Sequence, residues 1–284
     1  MPVSINLSER EVGKLRAYVV ENKIKLETTK QNEVLRVKTG GLFMVLYTSG
    51  SLVYEESEQA AVVLDHVLET RKGTKYYIGS DETGKGEWYG PLVVVGTLMS
   101  TDQIKELRKL GVKDSKLLTL TQIKRLADEM LKIGIIRTSR VISPERYNKM
   151  FDEFAKEGKN SNDILAWAHS EVVKDLVDRA GTFDVEVIID KFDSTKTDSR
   201  LSSKERLRRV DQTKVKVIQK TKGESETPVA AASVIAKSIF EDEVTKLSDQ
   251  YRIDLKSTEP KNIPKDILKM VAKTNFKNIR ELIS

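Results

Sequence analysis

Residues 77–98 read YIGSDETGKGEWYGPLVVVGTL, and the rest of the architecture can be worked out from this stretch. An apolar strand ends on an acidic pair, Asp81 and Glu82, and runs directly into Gly84-Lys85-Gly86. Adjacent carboxylates at the end of a buried strand are costly unless a cation neutralises them. The glycines let a backbone or ligand approach closely, and Lys85 offers a positive charge to an anion. The stretch therefore indicates a divalent-metal site that faces a phosphate.

Two phosphate-binding motifs almost match the same stretch. Residues 79–85 have the G-x-x-x-x-G-K spacing of a P-loop, but Gly86 stands where that motif needs the metal-ligating hydroxyl of Ser or Thr. Residues 84–90 imitate a loose dinucleotide fingerprint. Both motifs require a helix after the glycines, whereas the β-branched run at residues 92–98 predicts a second strand. The stretch is thus predicted to be strand, turn, strand; that the acidic pair is only a solvated turn stays open.

Composition limits the kind of site that this chain can build. Its 284 residues, 39% of them hydrophobic, are enough for two domains with real cores. With no cysteine and two histidines, a metal must be held by oxygen ligands, which favours Mg²⁺ or Mn²⁺. The N-terminal sequence has no basic segment followed by an apolar one, and no run approaches the roughly 18 apolar residues of a membrane span. A soluble, cytoplasmic protein without membrane association is expected.

The net charge of +6 is unevenly distributed. The first 70 residues contain 8 Lys or Arg and 10 Asp or Glu, whereas the remaining 214 contain 41 and 33. A sequence pI near 9.1 makes a polyanionic partner plausible. Many Lys-rich proteins bind no nucleic acid, so charge alone does not decide this.

Residues 1–70 predict a small α/β domain. Ser8 and Glu11 form a capping box ahead of an amphipathic helix that ends near Asn22. A second helix is predicted from about residue 57 to 69, and residues 71–74 are predicted to be a linker. Turn residues separate the four predicted strands, which are residues 24–26, 34–38, 42–47 and 52–54.

Basic and apolar side chains alternate in the first two of these strands. Lys23 and Lys25 flank one apolar residue, and Arg36 and Lys38 flank another. Successive side chains of a strand point to opposite faces, so one sheet face would be apolar and the other basic. These four residues would then contact phosphates. An ordinary solvated face explains the same pattern.

Residues 75–284 alternate strands and helices, which predicts an α/β domain with a mixed sheet. The apolar run at residues 185–190 ends on Asp190, as the first strand ends on Asp81. Glu224 and Glu226 precede a long helix that opens near Pro228. Acids at the ends of elements around one sheet favour a carboxylate cage. Each of them alone also fits an acid that offsets a helix dipole.

Five motifs carry a resemblance to a known family. SDETGKGEWYGPLVVV, VKDSKLLT, NDILAWAH, VIIDKF and KGESETPVAAASVIAK together resemble type 2 ribonucleases H, and specifically the ribonuclease HIII group. The resemblance covers about residues 75–284 and implies a ribonuclease H-like mixed sheet flanked by helices. Residues 1–70 resemble, by element order, the N-terminal domain of that group, which is similar to half of a TATA-box-binding protein and would bind substrate.

The resemblance implies roles for individual residues. Its four metal-binding carboxylates fall on Asp81, Glu82, Asp190 and, by counting four residues back from Pro228, Glu224; they would hold two Mg²⁺ or Mn²⁺ ions about 4 Å apart. The Gly84-Lys85-Gly86 turn matches the element whose backbone contacts RNA 2′-hydroxyls. Further residues in family motifs are candidate substrate contacts, namely Ser115, Lys116, Asn162, His169, Ser233 and Lys237.

The implied activity is endonucleolytic hydrolysis of the RNA strand of an RNA/DNA hybrid by a monomer, leaving 5′-phosphate and 3′-hydroxyl ends. Thr227 stands where ribonuclease HII has a Tyr that senses a lone ribonucleotide, so weak cleavage at single embedded ribonucleotides is expected. The basic run at residues 204–222 would be a second backbone-contacting surface. The alternatives are junction cleavage as in ribonuclease HII and a non-catalytic nucleic-acid-binding protein.

Overall fold

The computed structural model describes residues 2–55, 57–68, 76–112, 118–180, 185–190, 215–220 and 226–283, with the backbone alone for residues 65, 190 and 215–220. These residues fall into two compact units. Unit 1 is Met1–Gly73 with Ser100–Lys113, and unit 2 is Thr74–Met99 with Asp114–Ser284. Among the described helices, none is long and apolar enough to cross a membrane. The predicted linker at residues 71–74 lies outside the described part.

Unit 1 is built on a four-stranded antiparallel sheet with the strand order β1-β4-β3-β2. Ser8 caps the first helix, and the predicted capping box with Glu11 is present. Ser57 caps the second helix. The elements are β1 (Val3–Asn6), α1 (Glu9–Glu21), β2 (Glu33–Thr39), β3 (Leu42–Tyr47), β4 (Ser51–Tyr54), α2 (Glu58–Val67) and, later in the chain, α3 (Thr101–Lys109).

One prediction for this unit is wrong. Residues 24–26 do not form a strand; only an isolated bridge joins Leu26 to Val37. Lys23 has a φ of 49°, so the chain turns in the left-handed region as it leaves α1. The alternation of basic and apolar side chains therefore holds on β2, where Leu35 and Val37 are buried, and not around Lys25. The first strand, β1, was not predicted from the sequence.

Helix α3 belongs to unit 1, although it follows the first strands of unit 2 in the chain. The guanidinium of Arg108 donates to both carboxylate oxygens of Glu11, at 2.5 and 2.9 Å, and to the carbonyl of Asn6 at 3.1 Å. The hydroxyl of Tyr54 donates to the carbonyl of Lys109. The two parallel charge-assisted bonds from Arg108 fix both the position and the orientation of its side chain against Glu11. The first 70 residues are therefore completed by a helix that the sequence places much later.

Unit 2 contains a five-stranded mixed sheet with the order β7-β6-β5-β8-β9, as expected for the fold class. The β6–β7 pair is antiparallel, whereas β5, β8 and β9 are parallel. Its elements are β5 (Tyr76–Thr83), β6 (Leu92–Ser100), α4 (Leu120–Lys132), β7 (Ile136–Ile142), α5 (Pro144–Lys156), α6 (Ser161–Ala180), β8 (Val185–Asp190), β9 (Val215–Lys220), α7 (Thr227–Tyr251), a 3₁₀ turn (Pro260–Asn262), α8 (Lys265–Val271) and α9 (Lys277–Ile283).

Helices α6 and α7 cover opposite faces of this sheet. Ile78 on β5 packs in one cluster with α6, whereas a Cβ on the next residue, Gly79, would overlap the backbone of Pro228 at the start of α7. Side chains of a strand alternate between faces, so the two helices lie on different sides. On the α6 side, the Leu176 side chain would touch a Cβ at Gly96. This arrangement brings the start of α7 beside the carboxyl end of β5.

Candidate active site

The carboxyl ends of β5 and β8 bring two of the predicted acids to one edge of the sheet. The parallel register pairs Ser80 with Ile189, so Asp81 and Asp190 are the next backbone positions on neighbouring strands. Neighbouring strands lie about 4.8 Å apart. The side chain of Asp190 and the whole of Glu224 lie outside the described residues. The backbone thus brings Asp190 to the same sheet edge as Asp81, and the four-carboxylate cage stays a prediction.

Asp81 and Glu82 line a cleft of about 630 Å³. The amide N–H of Glu82 donates to Oδ1 of Asp81 at 2.9 Å, which fixes the first carboxylate against the second residue's backbone. Carboxylate oxygens are the donors that Mg²⁺ and Mn²⁺ prefer, so the pair fits a divalent cation. Within the described part of the chain, no three His, Cys, Asp or Glu residues lie close enough to form a complete metal site.

His169 holds the carboxylate of Glu82 from below. The ring is fully buried, with Nε2 3.1 Å from Oε2 of Glu82 and Nδ1 2.8 Å from Oγ of Ser80. Ser80 in turn donates to the carbonyl of Val95 at 3.0 Å. An ionised carboxylate only accepts hydrogen bonds, so Nε2 carries the hydrogen that it donates to Glu82. The buried ring is not among the described residues that line the cleft; it supports Glu82 from behind, and a direct contact of His169 with substrate stays a prediction.

The start of α7 approaches the acids because Gly79 has no side chain. A Cβ there would lie 2.1 Å from the carbonyl carbon of Pro228, a contact that real side chains do not make. The hydroxyl of Thr97 donates to the Pro228 carbonyl at 2.9 Å and secures the same approach from β6. A glycine inside a strand often marks such a close backbone contact. The residue that imitates the first glycine of a P-loop is therefore a packing residue.

Residues 84–91, here called the glycine loop, leave β5 at the cleft. Gly84 is buried with a φ of 92°, and its missing Cβ would lie 2.1 Å from the carbonyl oxygen of Pro91. Gly86 is exposed, and nothing lies within 4 Å of where its Cβ would be. Lys85 between them is exposed. The first glycine thus shapes the loop, and the second leaves open space in front of it.

Helix α7 adds two predicted substrate contacts to the same cleft, Ser233 and Lys237. Nζ of Lys237 lies 2.9 Å from Oε1 of Glu241 and 5.1 Å from the centre of the Phe240 ring. Lys256 also forms an ion pair with Glu241, and hydrogen bonds from both lysines hold the pKa of that carboxyl below its usual range against the raising effect of burial. The Lys237 ammonium is therefore held in place in the cleft that Asp81 and Glu82 also line.

Of the remaining predicted contacts, only Asn162 lies among the described residues in full. Asn162 lies in the first turn of α6 and is not among the described residues that line the cleft. Ser115 and Lys116 lie outside the described residues, as do residues 204–214 and 221–222 of the basic run.

In unit 1, the four predicted phosphate contacts differ in character. Arg36 donates to both carboxylate oxygens of Glu33, at 2.9 and 2.5 Å, so its charge is already balanced. The hydrogen bond from Arg36 lowers the pKa of Glu33 to about 2. Lys23, Lys25 and Lys38 are exposed, and Lys38 is the one of these three that extends from a strand.

Comparison with known proteins decides the family of this chain. A family model described as Ribonuclease HII matches residues 78–282, which include both acids, the glycine loop and α7. The chain belongs to this type 2 ribonuclease H family. Relatives over most of the chain are named Ribonuclease HIII, including those of Protochlamydia amoebophila (31% identical; 84% of this chain, 80% of the relative) and Chlamydia pneumoniae (29% identical; 100% and 98%). The protein is therefore a ribonuclease H, an endoribonuclease.

Solved structures support the fold over the whole chain. The crystal structure of Bst-RNase HIII in complex with Mn²⁺ matches with a TM-score of 0.64 and 23% identity, covering 100% of this chain and 98% of that one. Aquifex aeolicus RNase H3 matches with a TM-score of 0.57 and 21% identity, covering 96% and 100%. The predicted fold class, a ribonuclease H-like mixed sheet preceded by a small α/β domain, is confirmed.

Several residues of the site were not identified from the sequence. Leu120 and Ile123 of α4 form an apolar wall of the cleft, and Leu120 is 43% exposed there. Ser80 and Glu241 support Glu82 and Lys237 through the contacts described above. A polar residue inside an otherwise apolar strand, as Ser80 is, was the one available signal, since a buried hydroxyl needs a partner.

Proposed function

We propose that this ribonuclease H hydrolyses the RNA strand of RNA/DNA hybrids with two divalent metal ions and leaves 5′-phosphate and 3′-hydroxyl ends. The observation that supports this most directly is the shared cleft of Asp81, Glu82 and the glycine loop. It places oxygen ligands for a cation beside an exposed backbone that can read a sugar. The Mn²⁺ complex of Bst-RNase HIII supports the same metal chemistry.

Asp81, Glu82, Asp190 and Glu224 would hold the metals. Bound Mg²⁺ or Mn²⁺ at such a site activates water and stabilises the leaving 3′-oxygen. The protein's own contribution is to keep the ligands fixed. Asp81 is held by the amide of Glu82, and Glu82 by the imidazole of His169. Ligands held by such outer contacts need little reorganisation when the metal binds.

The glycine loop would distinguish RNA from DNA. The exposed backbone around Gly86 is open to a ribose 2′-hydroxyl, which can donate and accept hydrogen bonds. Lys85 and Lys237 flank the acids with positive charge that suits the phosphates on either side of the cleaved bond. Leu120 and Ile123 offer an apolar wall to the sugar.

The proposal is tested with three labelled substrates: an RNA/DNA hybrid, a DNA duplex with one ribonucleotide, and an RNA/RNA duplex, each with Mg²⁺, Mn²⁺ or EDTA. Strong cleavage of the hybrid with 5′-phosphate ends, weak cleavage at the single ribonucleotide and none of the RNA/RNA duplex are expected. Asp81→Asn is expected to abolish hydrolysis and to keep hybrid binding, whereas Asp242→Asn, an exposed acid on α7, leaves both unchanged. An active Asp81→Asn enzyme would contradict the metal assignment.

The duplex with a single ribonucleotide distinguishes this activity from junction cleavage. Thr227, at the start of α7, is buried and carries no aromatic ring to stack on a sugar at an RNA–DNA junction. Weak cleavage at that position is therefore expected. Equal rates on the single ribonucleotide and on the hybrid would favour junction cleavage as in ribonuclease HII.

Unit 1 would add affinity through its exposed lysines in a monomeric enzyme. Because Arg36 is neutralised by Glu33 and Lys38 is exposed, Lys38→Ala is expected to lower the salt dependence of hybrid binding by about 0.9 in the log–log slope, and Arg36→Ala by less. Equal slopes for the wild type and both variants would leave these residues as an ordinary solvated face.

A further inference from the structure

A buried lysine in the C-terminal segment holds the base of the glycine loop. Lys273 follows α8 and is 1% exposed. Its Nζ donates to the carbonyl oxygens of Tyr89 at 2.8 Å and Gly90 at 2.6 Å. Lysine is almost never fully buried unless its charge is compensated, so this one needs an explanation.

The backbone around Lys273 makes the same connection. Its N–H donates to the carbonyl of Trp88 at 2.7 Å, and the N–H of Gly90 donates to the carbonyl of Val271 at 2.9 Å. Tyr89 and Ala272 form a bridge between these bonds. Residues 88–90 are therefore clamped to residues 271–273 by a short ladder with the ammonium at its centre.

A second contact holds the clamp from the side of α5. The side-chain amide of Asn148 donates to the carbonyl of Ala272 at 2.9 Å and accepts from the N–H of Thr274 at 2.8 Å. The positions before and after Lys273 are thus tied to a helix that does not line the cleft. The lysine is presented to the glycine loop by a fixed support.

The clamp at residues 88–90 adjoins the part of the loop that is proposed to read RNA. Gly84 lies against the carbonyl of Pro91, and Phe240 packs under both Gly84 and Gly90. The two ends of the loop therefore share one floor, and the carbonyls of residues 89 and 90 adjoin it. A shift of those carbonyls would move Pro91, and with it the backbone of Gly84 that precedes the open position at Gly86.

An apolar residue at position 273 could not replace the lysine, because the carbonyls of Tyr89 and Gly90 need a hydrogen-bond donor. Without a donor, two carbonyls would be left unsatisfied in a dry environment, which costs more than the bond gains. Burial lowers the pKa of Lys273 to about 7, with Glu87 acting in the opposite direction. An amine and an ammonium both carry enough hydrogens to satisfy the two carbonyls.

We infer that Lys273 is a positioning residue for RNA recognition: it fixes the backbone of the glycine loop and so sets the preference for an RNA strand over DNA. This rests on the proposed function of the loop. The metal-binding acids are fixed independently, through Glu82's own amide and through His169 on α6. Loss of the clamp should therefore affect substrate discrimination much more than metal binding.

The test compares Lys273→Met, which removes the donor at similar volume, with Lys273→Gln, which keeps a donor. Lys269→Met, an exposed lysine on α8, is the matched control. Steady-state cleavage of the hybrid, competition by an all-DNA duplex of the same sequence, and Mn²⁺ titration calorimetry are measured for each, with circular dichroism to verify folding.

For Lys273→Met we expect KM for the hybrid to rise about tenfold and the preference for hybrid over DNA to fall by a similar factor, with Mn²⁺ affinity unchanged. Lys273→Gln should fall between this variant and the wild type. A folded Lys273→Met with unchanged KM and preference overturns the inference, as does a parallel loss of Mn²⁺ affinity. If Lys273→Met does not fold, Asn148→Ala, which loosens the same segment, decides by the same readouts.

The two proposals fail in different ways. A wild-type enzyme that does not prefer the hybrid over DNA would contradict the proposed function of the loop. A wild-type enzyme that does prefer it, alongside variants that discriminate equally well, would contradict the role of Lys273 alone.

Discussion

Replacing each glycine of Gly84-Lys85-Gly86 by alanine should separate the two functions of this turn. Gly84 has a φ of 92°, and an added Cβ would lie 2.1 Å from the Pro91 carbonyl oxygen and 3.0 Å from the Phe240 ring, where ordinary contacts begin at 3.4 Å. The left-handed backbone costs about 1–2 kcal/mol for a residue with a side chain, and overpacking adds about 1–3 kcal/mol. Gly84→Ala should thus lose about 2–5 kcal/mol of stability.

The same reasoning predicts little structural effect at Gly86. Nothing lies within 4 Å of its Cβ position, and no left-handed φ is required there. Gly86→Ala should therefore stay within about 0.5 kcal/mol of the wild type. Its methyl group would instead occupy the space into which a ribose must come. We expect the Kd for the hybrid to rise about tenfold, equivalent to about 1.4 kcal/mol, and the Kd for DNA to change little.

Thermal melts and fluorescence anisotropy check both expectations, the latter in an Asp81→Asn background so that the labelled hybrid is not cleaved. For a chain of this size, the predicted loss at Gly84 corresponds to a fall in Tm of about 5–15 °C. A Gly86→Ala protein that binds the hybrid as well as the wild type would refute the proposed backbone contact. A Gly86→Ala protein with a Tm as low as that of Gly84→Ala would refute the claim that the turn has room for a side chain at position 86.

Three further predictions concern the supporting contacts. Arg108→Met should lower the free energy of unfolding in urea by about 3 kcal/mol, because it leaves the buried carboxylate of Glu11 without its bidentate partner. Lys132→Met, which removes an exposed ion pair, should leave the free energy of unfolding unchanged. Equal urea midpoints for the two variants would contradict the prediction. The pKa of Lys273 is about 7 in the folded protein, against an ordinary value of 10.5. Between pH 7 and 10.5 the unfolded chain therefore binds more protons than the folded chain. The stability that depends on this residue should rise with pH across that range and stay constant below it. Between pH 7 and 9 the wild type should gain about 2 kcal/mol relative to Lys273→Met in urea titrations, and parallel pH profiles would contradict the assignment. His169→Leu should weaken Mn²⁺ binding about tenfold in calorimetry, since Glu82 loses its donor, whereas His169→Gln, which can still donate, should weaken it less; equal affinities would show that the imidazole does not position the ligand.

The parts of the fold that could be predicted are those in which local pattern and final structure agree. The acidic strand end, the glycines and the β-branched run at residues 92–98 predicted the strand pair at the centre of unit 2. Ser8 with Glu11 predicted the start of α1 to the residue. Residues 24–26 have the composition of a strand, but after the left-handed turn at Lys23 only a single bridge joins them to β2, and a sequence pattern does not report that turn.

Other features depend on contacts between distant residues. The amphipathic pattern of α3 shows that one face is buried, but not that it packs with unit 1 through Arg108. His169 was identified as a candidate by its motif, and its role depends on how Ser80 and Glu82 reach it across the sheet. Lys273 has no sequence signal at all, because a lysine near a helix end is expected at the surface.

The membership of α3 in unit 1 has a consequence for cutting the chain. The polypeptide passes between the units near residues 73, 99 and 113, so a break between residues 69 and 75 would leave α3 on the C-terminal fragment and its partners on the other. The bidentate bonds from Arg108 to Glu11 and the hydrogen bond from Tyr54 to Lys109 would then join two separate polypeptides. Residues 1–68 and 76–284, produced separately, should therefore reassemble by fragment complementation, in which α3 of the second fragment packs against the sheet and helices of the first.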